Sequence, residues 1–148
     1  MFQVSARILV IVLYLVRCLC TTHSKLFEWA HHTVLDGENN FHLKWKPGEK
    51  DITFQVEVAT HGYFGFGLSP NGGMKGSDMV IGWMKDGRHF FHDCYATGET
   101  RPSVDEHQDW KFLEGFENDT HTIFRFRRSY YTCDEHDFPI TVMLGVGL

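Results

Sequence analysis

Apolar residues alternate with polar ones along much of this chain, and no long stretch repeats them at the 3.6-residue spacing of a helix. Phe41, Leu43 and Trp45 alternate with His42 and Lys44. After the turn-forming run KPGEKD, Ile52, Phe54, Val56 and Val58 alternate with Thr53, Gln55 and Glu57. The two runs predict half-buried antiparallel strands joined in a hairpin. Residues 63–68 predict another strand in which Gly65 and Gly67 mark either a bulge or a close approach by a neighbouring backbone. SPNGGMKGS then reads as a loop. Residues 79–84 and 89–95 flank KDGR, where Asp86 and Gly87 suit the positive φ angles of a tight hairpin turn. Residues 112–116 and 122–126 flank ENDT and predict one more hairpin. The polar run ATGETRPSVDEHQD is a connection long enough to cross from one sheet to another. Seven to nine short strands with frequent turns predict an all-β protein, an antiparallel β-sandwich. No internal repeat, linker or low-complexity tract is visible.

With 148 residues, 43% of them apolar and 15% aromatic, the chain can fill one domain core. ILVIVLYLV, residues 8–16, follows Arg7 and precedes the small and polar residues of RCLCTTHS, the layout of a secretory signal over residues 1–24. Its retention as a membrane anchor is the alternative. The expected location is the secretory pathway, in a vesicle or ER lumen or outside the cell. The net charge of −5 becomes more negative once Arg7 and Arg17 leave with the signal, which argues against a nucleic-acid partner. Cys18 and Cys20 leave too. Cys94 and Cys133 remain, either paired with each other or with Cys133 awaiting a cysteine elsewhere. Asn118 opens the sequon NDT between two strands and is the expected glycosylation site.

Ten histidines invite a transition-metal reading, but neither His-x-His nor a helical i, i+4 pair occurs. His31 and His32 point to opposite faces of a strand, as do His89 and His92. No G-x-S-x-G elbow or C-x-x-C pair signals a hydrolase or a redox site. Met74, Met79 and Met84, with nearby histidines, supply the residue types for a haem-binding sandwich, although no spacing singles out a Met–His pair. Asp78 and Asp109 each open a strand. Acids placed there must cap, pair or bind a cation. Tyr63 and Trp83 are candidates for lining a ligand cleft.

VLDGENNFHLKWK, the block from ITFQVEVATHGYFGFGLSPNGG to SDMVIGW, DGRHFFHD, DEHQDW and THTIFRFRRSYYTCDEHDFPIT resemble in order the N-terminal DOMON domain of the dopamine β-hydroxylase family, and most of all its DBH-like monooxygenase branch. The resemblance covers about residues 28–141, within a domain placed at 25–141, and implies an immunoglobulin-like sandwich. It further implies a calcium or sodium site formed by the carboxylates of Asp78 and Asp109 and the main-chain oxygens of Met79 and Cys94. Cys133 matches a family cysteine whose disulfide partner lies far downstream. Full-length members are copper- and ascorbate-dependent monooxygenases whose catalytic domains follow this one, whereas residues 142–148 read as a short divergent tail. The expectation is a non-catalytic module whose partners are those absent domains, a second copy in a homodimer or a small ligand. The alternatives are a portion of an active dopamine β-monooxygenase-like enzyme and a cytochrome-type haem domain.

Overall fold

The computed structural model describes residues 27–141. The expected signal at 1–24 and tail at 142–148 lie outside them. Nine strands follow in order: β1 (His31–Val34), β2 (Phe41–Pro47), β3 (Asp51–Val58), β4 (Tyr63–Leu68), β5 (Asp78–Lys85), β6 (Arg88–Tyr95), β7 (Ser103–Val104), β8 (Lys111–Glu117) and β9 (Thr122–Ser129). They form two antiparallel sheets, one ordered β1-β2-β3-β9-β8 and the other β4-β5-β6-β7. The predicted hairpins β2–β3, β5–β6 and β8–β9 all pair, and the turn between β5 and β6 places Asp86 and Gly87 at positive φ.

Period two decides which side chains meet between the layers. On β3, Ile52, Phe54 and Val56 are buried while Thr53, Gln55 and Glu57 are half-exposed. Phe54 lies opposite Phe126 on β9, and Val56 opposite Phe124. From the other sheet Phe64, Phe66 and Val80 meet them, and Trp110, 2% exposed, closes the core. The Phe54 ring lies 5.3 Å from Phe66, 5.6 Å from Trp110 and 5.9 Å from Phe126, within the range where aromatic pairs add to area burial.

Two short strands escaped the alternation. β1 is an edge strand whose residues are mostly exposed, so burial imposes no pattern on HHTV. β7 has two residues, held to β6 through Val104 opposite Cys94 and Ser103 opposite Tyr95; the long polar run pairs here before crossing to β8. Gly67 marks a close approach, since a Cβ there would stand 2.7 Å from that of Met79. The ladder irregularity falls instead on β8, between Phe112 and Glu114.

The outer faces of the sheets differ in character. On the five-stranded sheet, Lys44 pairs with Glu57 at 3.4 Å, Arg125 with Glu114 at 2.8 Å and Arg127 with Asp51 at 3.2 Å. On the four-stranded sheet, the outward set out of phase with Val80 and Gly82 includes Tyr63, Ile81, Trp83, Phe90 and Val104.

Gly82 faces the core, where an added Cβ would lie 2.5 Å from the Phe64 ring and 3.3 Å from that of Phe124. Overpacking of this kind costs about 1–3 kcal/mol. Gly82→Ala is expected to lower the urea midpoint by that amount of stability; an unchanged midpoint would show that the Phe64 ring is free to move.

Candidate functional site

At one end of the core the alternation admits charge. Arg128 follows Phe124 and Phe126 in the inward phase of β9, Asp78 precedes Val80 on β5, and Asp93 lies opposite Val80 on β6. Arg128 Nη1 pairs with Asp78 Oδ2 at 2.7 Å, joining the two sheets, and Nη2 stands 3.2 Å from Asp137 Oδ2. Trp110 Nε1 donates to Asp78 Oδ1 at 2.6 Å, and the guanidinium lies over its ring, 5.2 Å from the centroid. The segment after β9 closes this end. Phe138 N donates to Asp78 Oδ2 at 3.0 Å, Arg128 Nη1 donates to Phe138 O at 2.7 Å, and Ile140 N donates to Tyr130 O at 3.1 Å.

Asp78, Asp93 and Asp137 bring one oxygen each to within 4.8 Å of one another. Arg128 pairs with two of these three carboxylates, Asp78 and Asp137. Asp93 Oδ2 accepts the N–H groups of Asp109 and Trp110 at 2.7 and 3.2 Å, while its Oδ1 is buried with no hydrogen-bond partner. Burial pushes the Asp93 carboxyl up to about 7, outweighing those two bonds. Burial also raises Asp78, opposed by Trp110 and Arg128, and raises Asp109.

The four residues implied as a cation site are placed as follows. Met79 and Cys94 are cross-strand partners on β5 and β6. Asp109 is half-buried beside Trp110. Asp78 already holds three donors, so a cation there would share its carboxylate with Arg128. The acids gathered around Asp78 are Asp93 and Asp137, which sequence reasoning missed. For Asp93, as for Arg128, the signal was phase: both are charges at positions where the alternation demands apolar residues.

Tyr63 and Trp83 lie opposite each other on β4 and β5. They share a cleft of about 760 Å³ on the outer face of the four-stranded sheet, with Ile81 and Val104 and with Lys85 and Arg101 as its cations. Trp83 stacks on Phe90, with centroids 4.9 Å apart and planes 5° apart. Cys94 also borders the cleft. It is a buried free thiol whose pKa burial pushes up to about 11, so it stays protonated and inert near neutrality. Cys133 is a free, exposed thiol.

Asn118 is exposed in the β8–β9 turn, where its Oδ1 accepts N–H bonds from Thr120 and His121. His89 stacks on Phe112 and His92 lies against Trp83, on opposite faces of β6. His32 instead meets His42, with ring nitrogens 3.4 Å apart across the edge strand, a cross-strand pair that sequence spacing did not reveal. Met84 packs against the core, whereas Met79 takes the opposite phase on β5.

Comparison with known proteins matches residues 37–144 to the DOMON domain. The chain belongs to the DOMON domain family. It is 44% identical over 116 residues to MOXD1 homolog 2 of Drosophila melanogaster, covering 76% of this chain and 15% of that protein. Against human DBH-like monooxygenase protein 1 it is 38% identical over 113 residues, covering 76% of this chain and 18% of that one. The DOMON chain thus spans less than a fifth of either relative. Among solved structures, the cytochrome domain of Myriococcum thermophilum cellobiose dehydrogenase superposes with a TM-score of 0.53 at 18% identity, over 66% of this chain and 54% of that one, a likeness of fold.

Because Asp93 holds its proton up to about pH 7 when folded but loses it near 4 when unfolded, the folded state binds more protons between those values. Its contribution to stability therefore falls as pH rises from about 4 to 7. In EDTA-treated protein the melting temperature is expected to fall across that window, and Asp93→Asn is expected to flatten the fall. A slope of equal size in the variant would assign it to other groups. Arg128→Met strands buried carboxylates and should cost about 3–5 kcal/mol, read by chemical denaturation.

Proposed function

We propose that this chain is the non-catalytic DOMON module of a DBH-like copper monooxygenase, working in the secretory pathway as a scaffold and binding surface. The observation that carries the reading is the contrast between the two outer faces, one laced with ion pairs and the other presenting Tyr63, Trp83 and Val104 around a cleft. An exposed apolar face rimmed by polar groups marks a surface built to be covered. In the relatives, the sequence beyond the matched region supplies the natural cover, and the same cleft suits a small ligand. Copper and ascorbate belong, on this reading, to the catalytic domains of the full-length proteins, and the chain's role in hydroxylation is to support those domains. A cytochrome role finds no support in the interior: the space between the sheets is filled by Phe54, Phe66, Trp110 and Phe126, and Met79 and Met84 take opposite phases on β5.

Mass spectrometry of the purified chain under native conditions is expected to show no tightly held pair of coppers and no ascorbate oxidation; finding both would overturn the non-catalytic reading, and a Soret band would favour haem. For the calcium or sodium site on Asp78, Met79, Cys94 and Asp109, the informative variant is Asp109→Asn, because Asp78 is tied to Arg128 whether or not an ion binds. It is expected to abolish any calcium-dependent rise in melting temperature, and a retained rise would remove Asp109 from the site. Glycosidase treatment of secreted protein should increase its gel mobility, and Asn118→Gln should remove that shift.

A further inference from the structure

The tripeptide Asp-Glu-His occurs twice, at residues 105–107 between β7 and β8 and at residues 134–136 in the segment after β9. The fold brings the two copies together. His107 Nδ1 lies 2.9 Å from Asp134 Oδ2. His136 Nδ1 stands 3.7 Å from Asp105 Oδ2 and 3.6 Å from Asp134 Oδ1. Asp105, Asp134 and His136 thus bring two carboxylate oxygens and an imidazole nitrogen to within 4.8 Å of one another. They border a hollow of about 510 Å³.

The independent sign of a ligand is Asp105. Its side chain is only 3% exposed, and Oδ1 accepts the N–H of His107 at 3.2 Å. Oδ2 is buried with no hydrogen-bond partner and faces His136. Such an orphaned oxygen costs about 1–3 kcal/mol unless something else satisfies it. His136 does not do so, because both of its carboxylate distances exceed hydrogen-bonding range.

We propose that Asp105, Asp134 and His136 bind a zinc-class divalent ion, with a fourth position left to water. Two ligands about 2.0–2.1 Å from zinc at the tetrahedral angle lie roughly 3.3–3.4 Å apart, so His136 needs to approach each carboxylate by only a few tenths of an ångström, and the two carboxylates already lie within 4.8 Å of one another. Two carboxylates neutralise the ion, and the imidazole selects a transition ion over calcium, which prefers six to eight oxygens. The surroundings orient the ligands as outer-shell partners do in zinc proteins. The His136 ring stacks on Tyr95 at 4.0 Å with planes 9° apart. Asp134 Oδ1 accepts the backbone N–H of His136 at 2.8 Å, and its Oδ2 lies 2.9 Å from His107 Nδ1, so the carboxylate is held in place from both sides. His107 is a positioning residue. The site shares no residue with the Asp78, Met79, Cys94 and Asp109 set, and bound zinc would clamp the segment after β9 to the β7–β8 connection.

The test is calorimetric titration of the tag-free full chain, stripped with EDTA, with Zn²⁺. One ion per chain is expected, with a rise in melting temperature of about 5 °C or more at saturating zinc. Asp105→Asn and His136→Gln should each weaken binding at least tenfold, while Glu106→Gln should leave it unchanged. Should either variant fail to fold, Co²⁺ substitution in the unaltered protein reports its own coordination: an intense visible band from a four-coordinate ion is expected, and a pale six-coordinate spectrum would overturn the assignment. Absence of stoichiometric zinc would also overturn it, as would binding that survives both variants but falls with His32→Gln, which would place the ion on the edge-strand histidine pair.

Discussion

The contact between Arg128 and Asp78 joins the layers where hydrophobic packing gives way to charge. Both side chains are essentially inaccessible to water, and they come from different sheets. Their desolvation is offset only because other groups complete the arrangement: Trp110 donates to Asp78 and underlies the guanidinium, and the backbone of Phe138 both donates to the acid and accepts from the arginine. A buried pair of this kind is weak evidence for stability but strong evidence for geometry, since few registers of β5 against β9 satisfy every partner. The excess of carboxylate around a single arginine leaves the end of the sandwich electrostatically unfinished, as Asp93 shows.

That unfinished charge and the aromatic cleft lie on the same four-stranded sheet. Asp78 and Asp93 point inward from β5 and β6, and Trp83 and Cys94 point outward from the same two strands. Alternation therefore gives each strand two duties: its inner positions tie the layers together and its outer positions offer a surface. On the five-stranded sheet, Lys44, Arg125 and Arg127 occupy outer positions in cross-strand ion pairs, and Phe27 and Trp29 lie against the Arg125 guanidinium.

The sandwich and most of its strands were legible in the sequence because period two leaves its mark wherever one face is buried, as on β3 and β9. β1 and β7 were not, since strands at an exposed edge carry no such mark. Tyr63 and Trp83, named from the sequence as candidates for a cleft, lie opposite each other out of phase with the core, whereas Asp93, Arg128 and Asp137 were missed. Reading the inward phase strictly would have exposed the first two: Arg128 continues the series Thr122, Phe124 and Phe126. Asp137 lies in an irregular segment with no period to follow. The meeting of His32 with His42 depends on the register of β1 against β2, which spacing along one strand does not encode.

The segment after β9 is anchored through main-chain atoms of Phe138 and Ile140, not through side-chain packing alone. A pull exerted at residue 141 would therefore load the interior directly, reaching β5 through Asp78 and β9 through Arg128 and Tyr130. Mechanical tension on that end would be shared between both layers and would not peel a single edge strand away.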